Sequence, residues 1–286
     1  MTSSIFTIPQ SESPLSPRQS WPTMYDLPSE NQEEPGLPDE FHLLQPQLLL
    51  LTFQPANWPS EMVFSAADLN LYYDLKHPLW YKRPDWFAVV GVSRLYDGQD
   101  LRLSYVIWQE EISPLIVIEL LSPGTERQDL GEEKREPDGT PSKWEVYEKI
   151  LRVPYYVVFS RYTNEVQAFQ LVENRYQPVS LVDGKFPIPE VQLSVGVWAG
   201  KYRGCERLWL RWFTQEGELI ALDSEKLIIV NQEANIAKQE ANIAKQEANI
   251  AKQEANTAKQ EAIAAEQRAK QLAARLRELG INPDEL

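Results

Sequence analysis

Cysteine and histidine are scarce in this chain of 286 residues, which holds one cysteine and two histidines. The single cysteine, Cys205, excludes a disulfide framework and a cysteine-rich metal site, and it is typical of a reducing compartment. With only His42 and His77, histidine-based catalysis has few options, and a packing or surface role is the more common one for His42. The sequence contains no Gly-rich phosphate loop, zinc-ligand spacing or Ser-His-Asp arrangement.

Long apolar runs are absent as well. The longest, such as residues 114–121, have the length of a β-strand, whereas a membrane-spanning helix needs about 20 apolar residues. The N-terminus lacks the basic region and apolar core of a signal peptide. We therefore expect a cytoplasmic protein that has no membrane partner.

Positive charge is in short supply. The net charge is −14, of which residues 1–40 carry −6, residues 41–231 carry −7 and residues 232–286 carry −1. This excess of acid opposes non-specific binding to nucleic acid, which draws its affinity from neutralising phosphates. Any contact with DNA must use a local basic patch or a metal ion. Because carboxylate-built metal sites are themselves acidic, the charge does not exclude a metal-dependent nuclease.

Composition divides the chain into four segments. Residues 1–38 are rich in Pro, Ser and Glu and lack periodicity, which predicts a disordered or loosely attached lead. Residues 39–231 contain the apolar runs of a globular domain. Residues 232–280 are built on the heptad Gln-Glu-Ala-Asn-Ile-Ala-Lys, and residues 281–286 form a C-terminal tail.

The heptads predict a long helix. Alanines at alternating spacings of four and three form one a/d seam that starts at Ala234, ends in leucines at Leu279, and is terminated by Gly280. Because alanine buries little area, self-association through this seam would be weak except at the leucine end. A coiled-coil homodimer and a solvated single helix therefore remain equal alternatives.

Apolar periodicity in residues 39–231 predicts a mixed set of elements. A helix is expected over residues 41–53 and a crossover helix over residues 143–151, the second with Ser142 as its N-cap. Strands are expected over residues 85–92, 101–108, 114–121, 153–160 and 165–172. This order of helix, strands, crossover helix and strands predicts an α/β (mixed α+β) fold, with the long helix appended.

Two acids and a lysine stand out between residues 84 and 143. Asp85 opens an apolar strand, where a solvated acid would be unremarkable. Glu119 lies among apolar residues, and a buried glutamate is rare unless it is paired with a basic residue or bound to a metal. Carboxylates from adjacent strand ends suit Mg²⁺, with Mn²⁺ as an alternative, and such an ion could activate water to cleave a phosphodiester. A nearby lysine such as Lys143 would add positive charge.

Five short motifs follow one another along residues 84–159. They are Pro84-Asp85, Ile118-Glu119-Leu120-Leu121-Ser122-Pro123-Gly124-Thr125, Asp129, Lys143-x-x-x-Tyr147 and Val153-Pro154-Tyr155-Tyr156-Val157-Val158-Phe159. Together they resemble a large bacterial family of restriction endonucleases in the PD-(D/E)XK nuclease superfamily, over about residues 40–222. The resemblance implies a restriction-endonuclease-like core, a mixed sheet flanked by helices, and Mg²⁺-dependent hydrolysis of DNA.

The resemblance also implies roles for individual residues. Asp85 is similar to the acid of the Pro-Asp element, and Glu119 to the acid of the Glu-x-Lys element, so both are implied to be catalytic and to bind the metal. This chain departs from the superfamily pattern because Leu121 occupies the place of the lysine.

The resemblance places the missing lysine on the following helix. Lys143 fits best because its spacing to Tyr147 matches, and Lys134 is the alternative because Asp129 lies closer to it in sequence. Asp129 and Ser122 are weaker site candidates, since these residue types more often cap a helix or form a turn.

Three functions compete at this point. The leading interpretation is a metal-dependent endonuclease that hydrolyses DNA. The alternative is a catalytically inactive, nuclease-like interaction protein with a coiled-coil tail, which the acidic core and the missing Glu-x-Lys lysine favour. A third is a coiled-coil adaptor. Convergence of Asp85, Glu119 and a lysine distinguishes the first from the others.

Overall fold

The computed structural model describes residues 39–122, 126–132 and 139–280. The lead of residues 1–38, the alternative Lys134 and the tail of residues 281–286 lie outside these ranges. The chain divides into two units, the first ending at Ile220 and the second beginning at Ala221. Within the described ranges, no helix has the length and apolar character that crossing a membrane requires.

The first unit contains strands and short helices. The strands are β1 (Val63–Ala66), β2 (Leu71–Tyr72), β3 (Tyr81–Lys82), β4 (Trp86–Val90), β5 (Tyr105–Val106), β6 (Ile116–Leu121), β7 (Tyr155–Ser160), β8 (Val166–Val172), β9 (Arg175–Val179), β10 (Lys185–Ile188), β11 (Leu193–Tyr202) and β12 (Cys205–Thr214). The helices are α1 (Glu40–Thr52), α2 (Ile107–Glu110), α3 (Glu126–Asp129) and α4 (Lys143–Glu145), the last continuing into a π-helical turn (Val146–Ile150).

The largest sheet is mixed. Its strand order is β1-β4-β6-β7-β8-β9, with β6 and β7 parallel and the other neighbours antiparallel. The chain crosses from β6 to β7 through α3 and α4, as parallel strands require. Two three-stranded sheets, β10-β11-β12 and β3-β2-β5, complete the unit. The predicted mixed α+β fold is confirmed.

Strands β6 and β7 lie at the centre of the large sheet because their sequences are apolar on both faces. Every residue of both strands is buried. Continuous burial of this kind is expected where a sheet is covered on both sides. Glu119 is the one charged residue in β6, so the core surrounds a carboxylate.

Helix α1 begins at a side-chain cap. The carboxylate of Asp39 accepts a hydrogen bond from the backbone N–H of His42 at 3.1 Å. Further along, the side-chain amide of Gln45 donates to the carbonyl of Leu210 and accepts from its N–H, both at 2.8 Å. These two bonds attach α1 to β12, and Pro46 lies at the middle of the helix.

The strand expected over residues 101–108 is wrong. Only Tyr105–Val106 pairs as a strand, and the chain then turns into α2. The reason is a buried ion pair: Arg102 Nε lies 2.7 Å from Glu110 Oε1, with both side chains at most 8% exposed. This pair draws the two ends of the segment together, which an extended strand does not allow.

The second unit is dominated by helix α5 (Asp223–Glu278), and the predicted long helix is confirmed. Its 56 residues span about 84 Å at the rise of an α-helix. It begins ahead of the first heptad, where the N–H of Leu222 donates to the carboxylate of Glu225 at 2.7 Å. No residue of this helix is buried. It ends before Gly280, which has a φ of +80°.

Candidate active site

The register between β4 and β6 places two acids side by side. Trp86 pairs with Ile118, so Asp85 lies opposite Glu119 where β4 begins. Opposite residues on antiparallel strands project from the same face of the sheet. The N–H of Asp85 donates to Glu119 Oε2 at 3.2 Å, and Asp85 Oδ2 accepts from the N–H of Leu120 at 2.6 Å. The backbone thus holds the two carboxylates next to each other.

Glu119 is fully buried, and both of its carboxylate oxygens have hydrogen-bond donors. The hydroxyl of Tyr147 donates to Oε1 at 2.8 Å, and Nζ of Lys143 donates to Oε2 at 3.0 Å. Burial, followed by the charge of Glu119, raises the pKa of Tyr147 well above its ordinary value, so this hydroxyl stays protonated and continues to donate.

One helical segment carries both donors. Ser142 caps it by accepting from the N–H of Glu145 at 3.2 Å, as the sequence predicts. Lys143 and Tyr147 are four residues apart and therefore share one face of the helix. The helix then widens into its π-helical turn, in which the N–H of Leu151 donates to a carbonyl five residues back at 2.9 Å. Such turns are rare and are frequently found at functional sites.

Asp129 joins this group. It is buried at the end of α3, and its Oδ1 lies 3.3 Å from Nζ of Lys143. The hydroxyl of Tyr156, on β7, donates to the backbone carbonyl of Asp129 at 2.9 Å and so ties α3 to the sheet. Ser122, the other weaker candidate, is buried just after β6 and accepts through its carbonyl from the N–H of Glu126 at 3.0 Å, which is a turn contact.

Burial and mutual charge alter the pKa values of the group. Burial, together with the charges of Asp85 and Asp129, raises the pKa of Glu119 well above its ordinary value, against the opposing charge of Lys143. Burial alone would lower the pKa of Lys143, but the carboxylates of Asp129, Glu119 and Asp85 outweigh it and raise that pKa. Lys143 is therefore a cation across the physiological range, and its side chain remains 18% exposed.

His42 lies beside this group, although the sequence favoured a plain packing role for it. Its Nδ1 is 3.0 Å from Asp39 Oδ1 and its Nε2 is 3.1 Å from the carbonyl oxygen of Leu120. Continuing the β4–β6 register places Pro84 opposite Leu120. Proline has no N–H to donate, so the imidazole takes the place of the missing strand donor.

The protonation of His42 follows from these contacts. Both ring nitrogens face acceptors, and only the doubly protonated ring donates to both. Burial lowers the pKa of His42, but the hydrogen bond to Asp39 and the charges of Asp85 and Asp39 outweigh burial and raise it. Nothing in the local sequence beyond Asp39 indicates this role, because the partner carbonyl lies 78 residues away.

The donor set fits a divalent cation. Lys143 pairs with the carboxylates of Glu119 and Asp129, and Asp85 lies next to Glu119, so the acidic side chains of this group outnumber its ammonium. Hard divalent ions prefer such oxygen ligands. In the part of the chain that the structure describes, no cluster of three or more His, Cys, Asp or Glu side chains is arranged to ligate a metal. The protein would thus contribute the two carboxylates of Asp85 and Glu119, and water or substrate oxygens the remaining ligands.

Comparison with protein families gives a match to a described family. The model of the Uma2 family, described as "Putative restriction endonuclease", matches residues 21–200, which is well over half of the chain. The matched range includes Asp85, Glu119 and Lys143. A search of curated protein sequences finds no significant match.

Comparison with solved structures finds a "putative nuclease belonging to DUF820" from Anabaena variabilis. The two chains are 11% identical, with a TM-score of 0.33. The alignment covers 46% of this chain and 63% of that one, so this chain spans less than two thirds of its length.

Proposed function

Because this chain belongs to the Uma2 family, we propose that residues 39–231 form a metal-dependent endonuclease that hydrolyses phosphodiester bonds in DNA. Asp85 and Glu119 would hold Mg²⁺, or Mn²⁺ in its place, and Lys143 would be the third catalytic residue. One observation carries this proposal: Oε2 of Glu119 lies 3.0 Å from Nζ of Lys143 and 3.2 Å from the backbone nitrogen of Asp85.

In this proposal Tyr147 and Lys143 have different roles. When bound, a divalent ion supplies Lewis-acid stabilisation of the phosphate charge and a more acidic water. Tyr147 fixes the orientation of the Glu119 carboxylate through its hydroxyl. Lys143 is held by Asp129 and Glu119, and its raised pKa suits it to attract the phosphate as a cation rather than to act as a general base.

Cleavage assays test the proposal. Supercoiled plasmid and single-stranded DNA are incubated with the full-length protein and Mg²⁺ or Mn²⁺, with EDTA as the metal-free control. We expect metal-dependent cleavage by the wild type and a loss of at least about 100-fold in Glu119→Ala and Asp85→Asn, as for other electrostatic groups of active sites. The matched control is Glu206→Gln, an exposed position on β12, which should cleave as the wild type does. Absence of cleavage by the wild type with either metal and either DNA would instead favour the inactive, nuclease-like interaction protein.

The C-terminal helix supports a proposal about assembly. We infer that α5 forms a homodimer by pairing its alanine and leucine seam with that of a second copy. Leu272 and Leu279 lie on the seam and are 64% and 71% exposed, so the seam is open to a partner.

The lone cysteine, Cys205, is a free thiol, which supports our proposal of a reducing, cytoplasmic location.

A further inference from the structure

A short basic and aromatic segment immediately precedes the catalytic strand β4. Residues 75–83 contain three basic residues and no acidic ones, in a chain whose net charge is −14. The basic residues are Lys76, Lys82 and Arg83, and the aromatic pair Trp80-Tyr81 lies between them. Lys82 is buried and Arg83 pairs with Asp68, so the positive charge that this segment offers to a nucleic acid comes from the exposed Lys76 and the partly exposed Arg83.

The same segment forms one wall of a cleft of about 320 Å³. The residues that line the cleft are Leu79, Trp80, Tyr81, Lys82, Arg83, Gln128, Thr140 and Lys143. Since Lys143 lies 3.0 Å from Glu119, the cleft lies beside the proposed catalytic group. Its volume is at the small end of pockets that bind single organic ligands, and far below the space that a double helix occupies.

The aromatic part of the wall is held in place before any ligand binds. The rings of His77 and Trp80 stack with their centroids 3.8 Å apart and an interplanar angle of 9°. His77 is fixed in turn by Asp74, whose Oδ2 lies 2.7 Å from Nδ1. A side chain that is already ordered loses little further entropy on binding. His77 covers one face of the indole and Trp80 also packs against the core, so the base would contact the part of the ring that lines the cleft.

The cationic part of the wall is ordered too. Arg83 Nη2 lies 2.7 Å from Asp68 Oδ2, and the arginine side chain remains 40% exposed. Lys143, which pairs with Glu119 and Asp129, is a second cation among the residues that line the cleft. An aromatic platform flanked by positive charge is the combination with which proteins bind unpaired nucleotides, because every base has a face for stacking and every nucleotide a phosphate.

We propose that this cleft binds one unpaired nucleotide of the DNA strand to be cut, so that the enzyme prefers single-stranded or locally unpaired DNA to continuous duplex. The base packs against Trp80, and the flanking phosphates face Arg83 and Lys143. This inference rests on the proposed function for the reaction, but the binding preference can be measured without cleavage.

Fluorescence anisotropy in EDTA tests the inference with the full-length protein, a labelled single-stranded DNA oligonucleotide and the matching blunt duplex. We expect the wild type to bind the single strand about tenfold more tightly than the duplex. Trp80→Ala should weaken single-strand binding by about tenfold, the equivalent of one lost base–aromatic stack, and Trp80→Phe should retain most of it. Trp58→Ala is the matched control, since this partly buried indole donates to the carbonyl of Glu190 and does not line the cleft.

A second substitution keeps the test valid if Trp80→Ala does not fold. Leu79 lines the cleft and is 82% exposed, so changing it leaves the core intact. Leu79→Glu should weaken single-strand binding by about two- to fivefold, and Leu79→Lys should strengthen it by a similar factor, as expected of one exposed charge.

The outcomes separate the two proposals. Equal affinity of the wild type for single strand and duplex, or wild-type binding by Trp80→Ala and Leu79→Glu, would overturn the inference even if cleavage is observed. The expected preference and its loss in the variants, together with an absence of cleavage, would leave the nucleotide site standing and overturn the proposed catalytic function instead.

Discussion

The hydroxyl of Tyr147 donates to one oxygen of the Glu119 carboxylate at 2.8 Å, while the ammonium of Lys143 donates to the other at 3.0 Å. Both donors come from one helical segment and are separated by about one turn. A single helix therefore sets the orientation of the buried carboxylate from both sides. The position of that helix, rather than the sheet alone, determines how Glu119 faces a metal or substrate.

Removing the Tyr147 hydroxyl should weaken activity while leaving the two metal-binding carboxylates in place. We expect Tyr147→Phe to lower activity or apparent metal affinity by about 10- to 100-fold, as is usual for groups that orient a metal-binding side chain. The measurement is the metal-concentration dependence of cleavage. Tyr202→Phe is the matched control, because this hydroxyl bonds to Gln47 at 3.0 Å, away from the acids. Activity and metal dependence equal to wild type in Tyr147→Phe would show that Lys143 and the N–H of Asp85 position the carboxylate without this hydroxyl.

Substitution of Lys143 and of Lys134 should show which of the two is the catalytic lysine. We expect Lys143→Ala to reduce cleavage by at least about 100-fold, because it removes the cation beside the acids. Lys134→Ala should keep nearly full activity. Lys149→Ala serves as the control on the same helical segment, since its side chain is 60% exposed. The reverse pattern, with activity lost in Lys134→Ala and kept in Lys143→Ala, would move the catalytic role to residue 134.

Stability should depend on the titration of His42. Its pKa is raised in the folded protein above the ordinary value of about 6.5. The folded state therefore binds this proton more tightly than the unfolded state. The resulting stabilisation is fully present below about pH 6.5 and is lost as the pH rises through the folded-state pKa.

Thermal unfolding across this pH range measures the effect. We expect His42→Gln and Asp39→Asn to lose less stability than the wild type between acidic and alkaline pH, by about 3 °C in Tm or roughly 1 kcal/mol. Asparagine still caps a helix, so Asp39→Asn keeps that role of the residue. His77→Gln is the control, because His77 is half exposed. Parallel pH profiles for wild type and His42→Gln would contradict the prediction.

The heptad helix should associate through its seam alone. Sedimentation equilibrium of the wild type should show weak, concentration-dependent dimerisation. The double variant Leu272→Glu/Leu279→Glu should be monomeric at the same concentrations, because it places charge on the seam. The control is Ile243→Glu/Ile250→Glu, two residues off the seam that are 56% and 55% exposed. A wild type that stays monomeric at every concentration would establish the solvated single helix.

Much of the fold could be predicted because its strongest elements are local. The apolar runs of β6 and β7 and the repeating heptads each specify their structure through their own periodicity. The strand predicted over residues 101–108 was wrong for the opposite reason. The segment alternates like a strand, but the buried pair of Arg102 and Glu110 bends it. That ion pair depends on tertiary burial, which no pattern of alternation records.

The two acids of the candidate site could be predicted from the sequence, but not all of the residues that contact the site. Asp85 and Glu119 were visible as a carboxylate at a strand start and a lone charge in a strand. Lys143 was indicated by the family resemblance, through its spacing to Tyr147. The contact of His42 was not, because it depends on the pairing register that places Pro84 opposite Leu120. Register is a relationship between distant segments, so a single sequence does not display it.

The exposed heptads of α5 have a consequence for how this protein can change in length. Adding or deleting one heptad alters the helix by about 10.5 Å and returns every later residue to its place on the seam. Since no residue of this helix is buried, such a change removes no residue from a packed interior. The number of repeats thus sets the length of the helix in steps of one heptad. Two copies with unequal numbers of repeats could still pair in phase over the heptads they share.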